Sequence, residues 1–276
     1  MGNNFSTDIQ EGNRFEFGAN WKYFLKNLDD ERINEAKYSL VGMLGDPIPG
    51  QTFLDIGSGS GLFSLAAYQL GYHVFSFDFD KESVACTVSL KKSYAGNDAW
   101  WKIEEASVLD IAFLDKIGQF DVVYAWGVLH HTGHMWAAMA NTCNTVKEAG
   151  KLFIAIYNDQ GVRSKLWLFV KKIYNKGSAC RLLVKAVFIP YFAVSLFCRD
   201  LLLFKNPLAR YLQYKRSRGM SIFTDWIDWL GGYPFETATP KKVIDFYHER
   251  GFILDKLKTT KRLGCNEFVF IKAGRS

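Results

Sequence analysis

Between two apolar runs the chain spells Phe53-Leu-Asp55-Ile56-Gly57-Ser58-Gly59-Ser60-Gly61-Leu62-Phe63. Three alternating glycines after a buried strand let the backbone turn tightly and approach a ligand at the next helix N-terminus. The arrangement demands strand, loop and helix in immediate succession, and the following residues keep that rhythm. Strands are predicted at Thr52–Ile56, His73–Phe77, Trp101–Ala106, Phe120–Ala125 and Lys151–Ile156. Helices are predicted between them at Gly61–Leu70, Lys81–Tyr94 behind an Asp80 cap, and Met135–Lys147. Single helices between strands imply a parallel sheet covered on both faces. The rhythm breaks after Tyr157 and resumes at Thr239, where Pro240 suits the first position of a helix reaching Arg250. Strands Phe252–Lys258 and Asn266–Ile271 are joined too closely for a crossover and predict an antiparallel hairpin. Ahead of the sheet, Asn20–Leu44 reads as helical, with Asp29 and Asp30 as candidate caps of a helix stopped by Gly45 and Pro47, and an aromatic lead-in from Phe17 to Phe24 before it.

The fold class is therefore α/β: a doubly wound, mostly parallel seven-stranded sheet with an antiparallel C-terminal hairpin and a helical insertion. Residues 1–45 form a helical lid and 46–160 the α/β core. Residues 161–235 form the insertion, and 236–276 complete the core. An apolar content of 49% with 22% charge argues against extended disorder. The aromatic share of 16% exceeds what a core needs and suggests an apolar cleft or contact surface. Charge is concentrated: thirteen Lys or Arg lie between Gly161 and Met220 against the single acid Asp200, although the whole chain carries only +6. Five dispersed cysteines lack metal-ligand spacing and fit a reducing compartment. The polar N-terminus has no apolar secretory core, so a cytoplasmic location is expected, peripheral to the membrane surface if the insertion touches lipid.

A nicotinamide dinucleotide is the rival for the glycine loop. Its G-x-G-x-x-G/A frame puts Leu62 or Ser64 where the third small residue belongs, and Asp55 beside a pyrophosphate. A cofactor bearing a sulfonium and an amino group suits an acidic loop better. At this point the sequence resembles the class I S-adenosylmethionine-dependent methyltransferases, nearest the small-molecule O-methyltransferases that include the ubiquinone-biosynthesis type. Asp55-x-Gly57-x-Gly59-x-Gly61 looks like the family's first motif, and Asp78 matches its ribose-holding acid, with Phe79 beside adenine. Ala106-Ser107-Val108-Leu109-Asp110 is similar to the third motif and Asp121–His131 to the fourth. Lys147-Glu-Ala-Gly150-Lys-Leu resembles the turn before strand five. The resemblance implies S-adenosyl-L-methionine as cofactor and S-adenosyl-L-homocysteine as product. It places Asp55, Gly57, Ser58, Gly59, Gly61, Asp78, Phe79, Ser107, Val108 and Trp126 at the cofactor, with Trp21 in the covering lead-in.

The chemistry of methyl transfer to oxygen asks for a proton acceptor at the same rim. His131 is the first candidate, Asp159 the alternative and His130 a third. Tyr157 and Asn158 follow strand five and are expected at the acceptor. Arg216, Arg218, Trp226, Trp229 and Tyr233 are expected to line its pocket, with arginine matching an anionic group. No metal is implied. The acceptor classes left open are a small molecule, a glycan or a lipid-linked compound. An N-methyltransferase, an RNA methyltransferase and an NAD-dependent oxidoreductase are the other readings. The insertion is apolar as well as basic, which disfavours nucleic acid. Its helical runs Leu166–Val170, Leu182–Ile189 and Phe192–Leu203, broken at Pro190, suggest a membrane-surface contact, a packed cap or a homodimer contact.

Overall fold

A computed structural model of the chain describes residues 5–207 and 222–274. Strands β1 (Thr52–Ile56), β2 (His73–Asp78), β3 (Trp101–Glu105), β4 (Phe120–Trp126) and β5 (Val146–Tyr157) run parallel. Strand β6 (Phe252–Lys258) pairs with β7 (Cys265–Lys272), and β7 inserts antiparallel beside β5. The order β3-β2-β1-β4-β5-β7-β6 reverses direction between β1 and β4. A crevice therefore opens outside the carboxyl ends of those two strands.

Alternation along each strand divides the core. Leu54, Ile56, Val123 and Ile154 face one side, where α6 (Ile111–Ile117), α7 (Met135–Asn144) and α11 (Pro240–His248) pack. Phe53, Val122, Tyr124 and Phe153 face the other, covered by α3 (Asp30–Leu44), α4 (Leu62–Gln69) and α5 (Lys81–Tyr94). Asp80 caps α5 by accepting from Glu82 N–H, and Thr239 caps α11 ahead of Pro240.

Some local expectations need correction. The N-terminal stretch holds α2 (Gly18–Leu25), formed by the aromatic lead-in, and α3, which starts at the expected cap, where Asp29 accepts from Arg32 N–H. Before them lies a short α1 (Phe5–Gln10). Helix α7 stops at Asn144, where the Thr142 and Thr145 hydroxyls donate to carbonyls three residues back. Val146 is thereby released to pair with Phe120, so β5 starts before the Gly150 turn expected to precede it. A further short helix, α6, is capped by Asp110, whose carboxylate accepts from Phe113 N–H.

The segment between β5 and α11 holds α8 (Val162–Asn175), α9 (Ser178–Leu202) and α10 (Ile222–Gly231). Pro190 does not break α9. It forfeits one backbone bond, and the carbonyl it frees belongs to exposed Ala186, where water can satisfy it. Val170, Tyr174, Val184 and Leu230 form the small core joining the three helices.

Candidate cofactor and acceptor site

One cavity of about 820 Å³ occupies the crevice and continues under the insertion. Its first end is built from strand termini. Gly57 N–H and Ser58 N–H both donate to Phe77 O, fastening the glycine loop to β2. Asp78, at the end of β2, accepts from Gly59 N–H at 2.9 Å and from Asp80 N–H at 2.9 Å. Burial pushes the Asp78 carboxyl up to about 6 despite those bonds. Gly57 has φ +71, and a Cβ there would lie 2.5 Å from the Val128 side chain. Gly59 has φ +55, and its Cβ would press within 3.1 Å of the Trp21 indole.

Of the residues expected at the cofactor, Gly57, Gly59, Asp78, Phe79, Ser107, Val108, Trp126 and Trp21 line the cavity. Asp55, Ser58 and Gly61 do not; they brace the loop from behind. Asp55 is buried and accepts from Ser64 Oγ at 2.5 Å, and loss of solvent pushes its carboxyl up to about 7. Ser58 Oγ meets Thr87 Oγ1 at 3.0 Å, and Gly61 begins α4 with Thr87 against its Cα.

The second end brings together His131, Tyr157, Trp226 and Trp229, all expected there. His131 Nδ1–H donates to Pro234 O at 2.6 Å, which fixes the tautomer and leaves Nε2 with its lone pair. Burial pulls the His131 imidazole down to about 3, so it is neutral throughout the physiological range. Four expected residues stand elsewhere. His130 is buried off the cavity with its ring on Tyr157, centroids 4.0 Å apart. Asp159 accepts from Gly161 N–H and forms the turn into α8. Asn158 is spent on the sheet end, donating to Thr260 O and accepting from Asn266 Nδ2. Tyr233 also misses the cavity; its carbonyl accepts from Phe15 N–H. Arg216 and Arg218 lie outside the described residues.

Several lining residues escaped the sequence reading. Asp228 of α10 accepts from Asn20 Nδ2 and is pushed up to about 7, mainly by burial and further by Asp225. Arg14 lines the wall, donates to the carbonyls of His131 and Thr132, pairs with Asp8 and lies over the Phe79 ring. Phe192 and Leu196 of α9 form a further wall. The signal for Asp228 was present: it stands directly before Trp229, as Asp225 stands before Trp226.

Among the described residues, the lining includes the carboxylates of Asp78, Asp80, Asp225, Asp228 and Glu267 against the one guanidinium of Arg14. That excess suits a cationic sulfonium. Comparison with known proteins agrees on the class. Residues 54–154 match the methyltransferase domain family. The ubiquinone biosynthesis O-methyltransferase of Caulobacter vibrioides is 28% identical over 123 residues, 45% of this chain and 47% of that protein. The phosphoethanolamine N-methyltransferase 2 of Caenorhabditis elegans is 27% identical over 124 residues, 45% of this chain and 28% of that protein. The chain thus spans less than half the length of each. The structure of magnesium protoporphyrin IX methyltransferase from Synechocystis PCC 6803 with bound SAM superposes with a TM-score of 0.51 at 11% identity, covering 88% of this chain and 79% of that one. The chain carries a methyltransferase domain, and its fold is that of the class I S-adenosylmethionine-dependent methyltransferases.

Proposed function

We propose that this chain transfers a methyl group from S-adenosylmethionine to a hydroxyl of a small or lipid-linked acceptor held between His131, Tyr157 and α10. The observation that carries the reading is the continuity of one cavity from the glycine loop to the Trp226 and Trp229 face. The residues at the first end fit the donor. All line this end of the cavity, and we assign Asp78 to the ribose hydroxyls, Phe79 and Val108 to adenine, and the Gly57–Gly59 backbone to close approach. When bound, S-adenosylmethionine supplies an electrophilic methyl on a sulfonium.

The protein's own part is to bind, orient and take a proton. His131 offers Nε2 as a hydrogen-bond acceptor, but its lowered basicity makes it a poor proton sink. Asp228 is the better-matched base, since its carboxyl ionises near neutrality while Asn20 holds it. We therefore assign proton removal to Asp228 and orientation of the hydroxyl to His131. The acidic, aromatic character of this end also favours a second reading, methylation of an amine. The N-methyltransferase among the relatives is consistent with it, as the O-methyltransferase is with the first.

A labelled-donor incubation with cell extract, split into lipid, glycan, RNA and small-molecule fractions, tests the proposal. Label is expected in the lipid or small-molecule fraction, and label in RNA alone would overturn it. Calorimetry with S-adenosylmethionine and with NAD tests the donor; heat from NAD alone would remove the methyl-transfer reading entirely.

A further inference from the structure

Helix α9 has two faces that do different things. Its inner face packs Val184, Phe188 and Ile189 on α8 and α10, buries Asp200, and presents Phe192 and Leu196 to the cavity. Its outer face carries Leu183, Val187, Pro190, Val194, Phe197 and Leu201. Steps of four, three, four, three and four keep these residues in one stripe along the helix. All are exposed, Leu183 to 63% and Val194 to 61%, and only 6% of the helix's apolar window is buried within the protein. At 25 residues α9 is long and apolar enough to cross a bilayer. Crossing would strip the small core it shares with α8 and α10, so the packing holds it flat.

The stripe has a basic frame. Arg181 and Lys185 lean over the Tyr174 ring of α8, 5.5 and 5.9 Å from its centroid, along one flank. Across described residues 161–207 eight Lys or Arg reach the surface, Lys171 alone of the basic residues there being buried, and the one acid, Asp200, is buried. An apolar stripe within a cationic border matches the interfacial region of an anionic leaflet, which solvates chains and phosphates at adjacent depths.

We propose that α9 lies in the plane of an anionic membrane surface, seating the protein there with its cavity wall one helix-width from the lipid. Resting on the methyl-transfer reading, the acceptor is then a molecule dissolved in the bilayer, which passes beside Phe192 and Leu196 to reach His131 and Asp228. Apolar burial supplies attachment, and the basic frame selects the anionic leaflet and makes attachment salt-sensitive.

Flotation of the full chain with phosphatidylcholine vesicles, and with vesicles containing phosphatidylglycerol, tests this. The protein is expected to float with the anionic vesicles and to lose part of that binding at moderate salt. The double variant Val187→Glu, Phe197→Glu should bind them at least about tenfold less. Both side chains are exposed and stand clear of the cavity, so S-adenosylmethionine calorimetry on the variant should match the parent. That readout separates a failure of the membrane proposal from a failure of the donor assignment. Absence of wild-type flotation with anionic vesicles overturns the proposal, as does equal binding to neutral ones. Sedimentation without lipid supplies the remaining arm. A dimer dissolved by the double variant, with no vesicle binding, would assign the stripe to a second copy instead.

Discussion

The two ends of the cavity are made in different ways. The donor end is a backbone construction: loops leave the carboxyl ends of β1, β2 and β4, and amides of Gly57, Ser58 and Gly59 bond to Phe77 O and Asp78. The acceptor end is assembled from side chains on elements far apart in sequence. Asn20 reaches Asp228, Arg14 reaches His131, and His131 reaches Pro234, with separations of 208, 117 and 103 residues. A site of the first kind is set by the sheet and tolerates little change in the backbone. A site of the second kind can be altered residue by residue, so one fold serves many acceptors.

The strongest way to break that contrast is Gly59→Val. A branched side chain at φ +55, pressed against the Trp21 indole, should weaken S-adenosylmethionine binding about a thousandfold by calorimetry, roughly 4 kcal/mol. Unchanged affinity would mean that the donor end is not backbone-built. At the acceptor end, Asp228→Asn should lower kcat about a hundredfold and leave donor affinity intact. The pH profile sharpens the assignment. Asp228 is pushed up to about 7, so its ionised, proton-accepting form grows as pH rises through 7. The wild-type rate should rise across that window and level off, and Asp228→Asn should abolish the rise. His131, pulled down to about 3, adds no inflection near 6.5. A rise that survives in Asp228→Asn but vanishes in His131→Ala would reverse the two roles.

Smaller effects test the supporting parts. Trp21→Ala removes the ring over Gly59 and should speed dissociation of S-adenosylmethionine about tenfold in stopped-flow traces. Asp55→Asn should act on stability alone. Burial raises this carboxyl from the usual value near ~4 to about 7, so between those values the folded state holds more protons than the unfolded one. Stability therefore falls as pH rises through the window, by at most about 1.4 kcal/mol per unit from this group. Asparagine keeps an oxygen for Ser64 Oγ and removes that slope, which urea melts at pH 5 and pH 7 would show.

The same contrast explains what was legible in the sequence. Strand alternation, the Gly57–Gly61 loop and the Asp80 and Thr239 caps are local signals, and the sheet with its antiparallel end follows from them. That Asp78, Phe79 and Trp126 line the cavity was legible because Asp78 and Trp126 end β2 and β4 and Phe79 follows β2. Asp55, Ser58 and Gly61 belong to the same motif, yet which face of a loop meets a ligand depends on Ser64 and Thr87 across the layer. Asn158 and Asp159 looked like rim residues because they follow β5. The neighbouring β7 and the turn into α8 claimed them instead, through bonds that no spacing announces. Asp228 lies within a recognisable Asp-Trp pairing, but only Asn20, presented by α2, gives it a role.

The segment from Arg14 to Trp21 has one further consequence. It is stitched to the molecule at separately encoded points: Arg14 to the loop after β4, Phe15 to Tyr233, Asn20 to α10, and Trp21 to the glycine loop. A strap fastened at both ends of the cavity cannot uncover one compartment and leave its hold on the other undisturbed. A ligand that displaced the strap at one compartment would bias the other, and by thermodynamic reciprocity the bias would be equal in both directions. Eight residues, Arg14 to Trp21, thus tie the acceptor end of the cavity to the glycine loop, far along the chain from either.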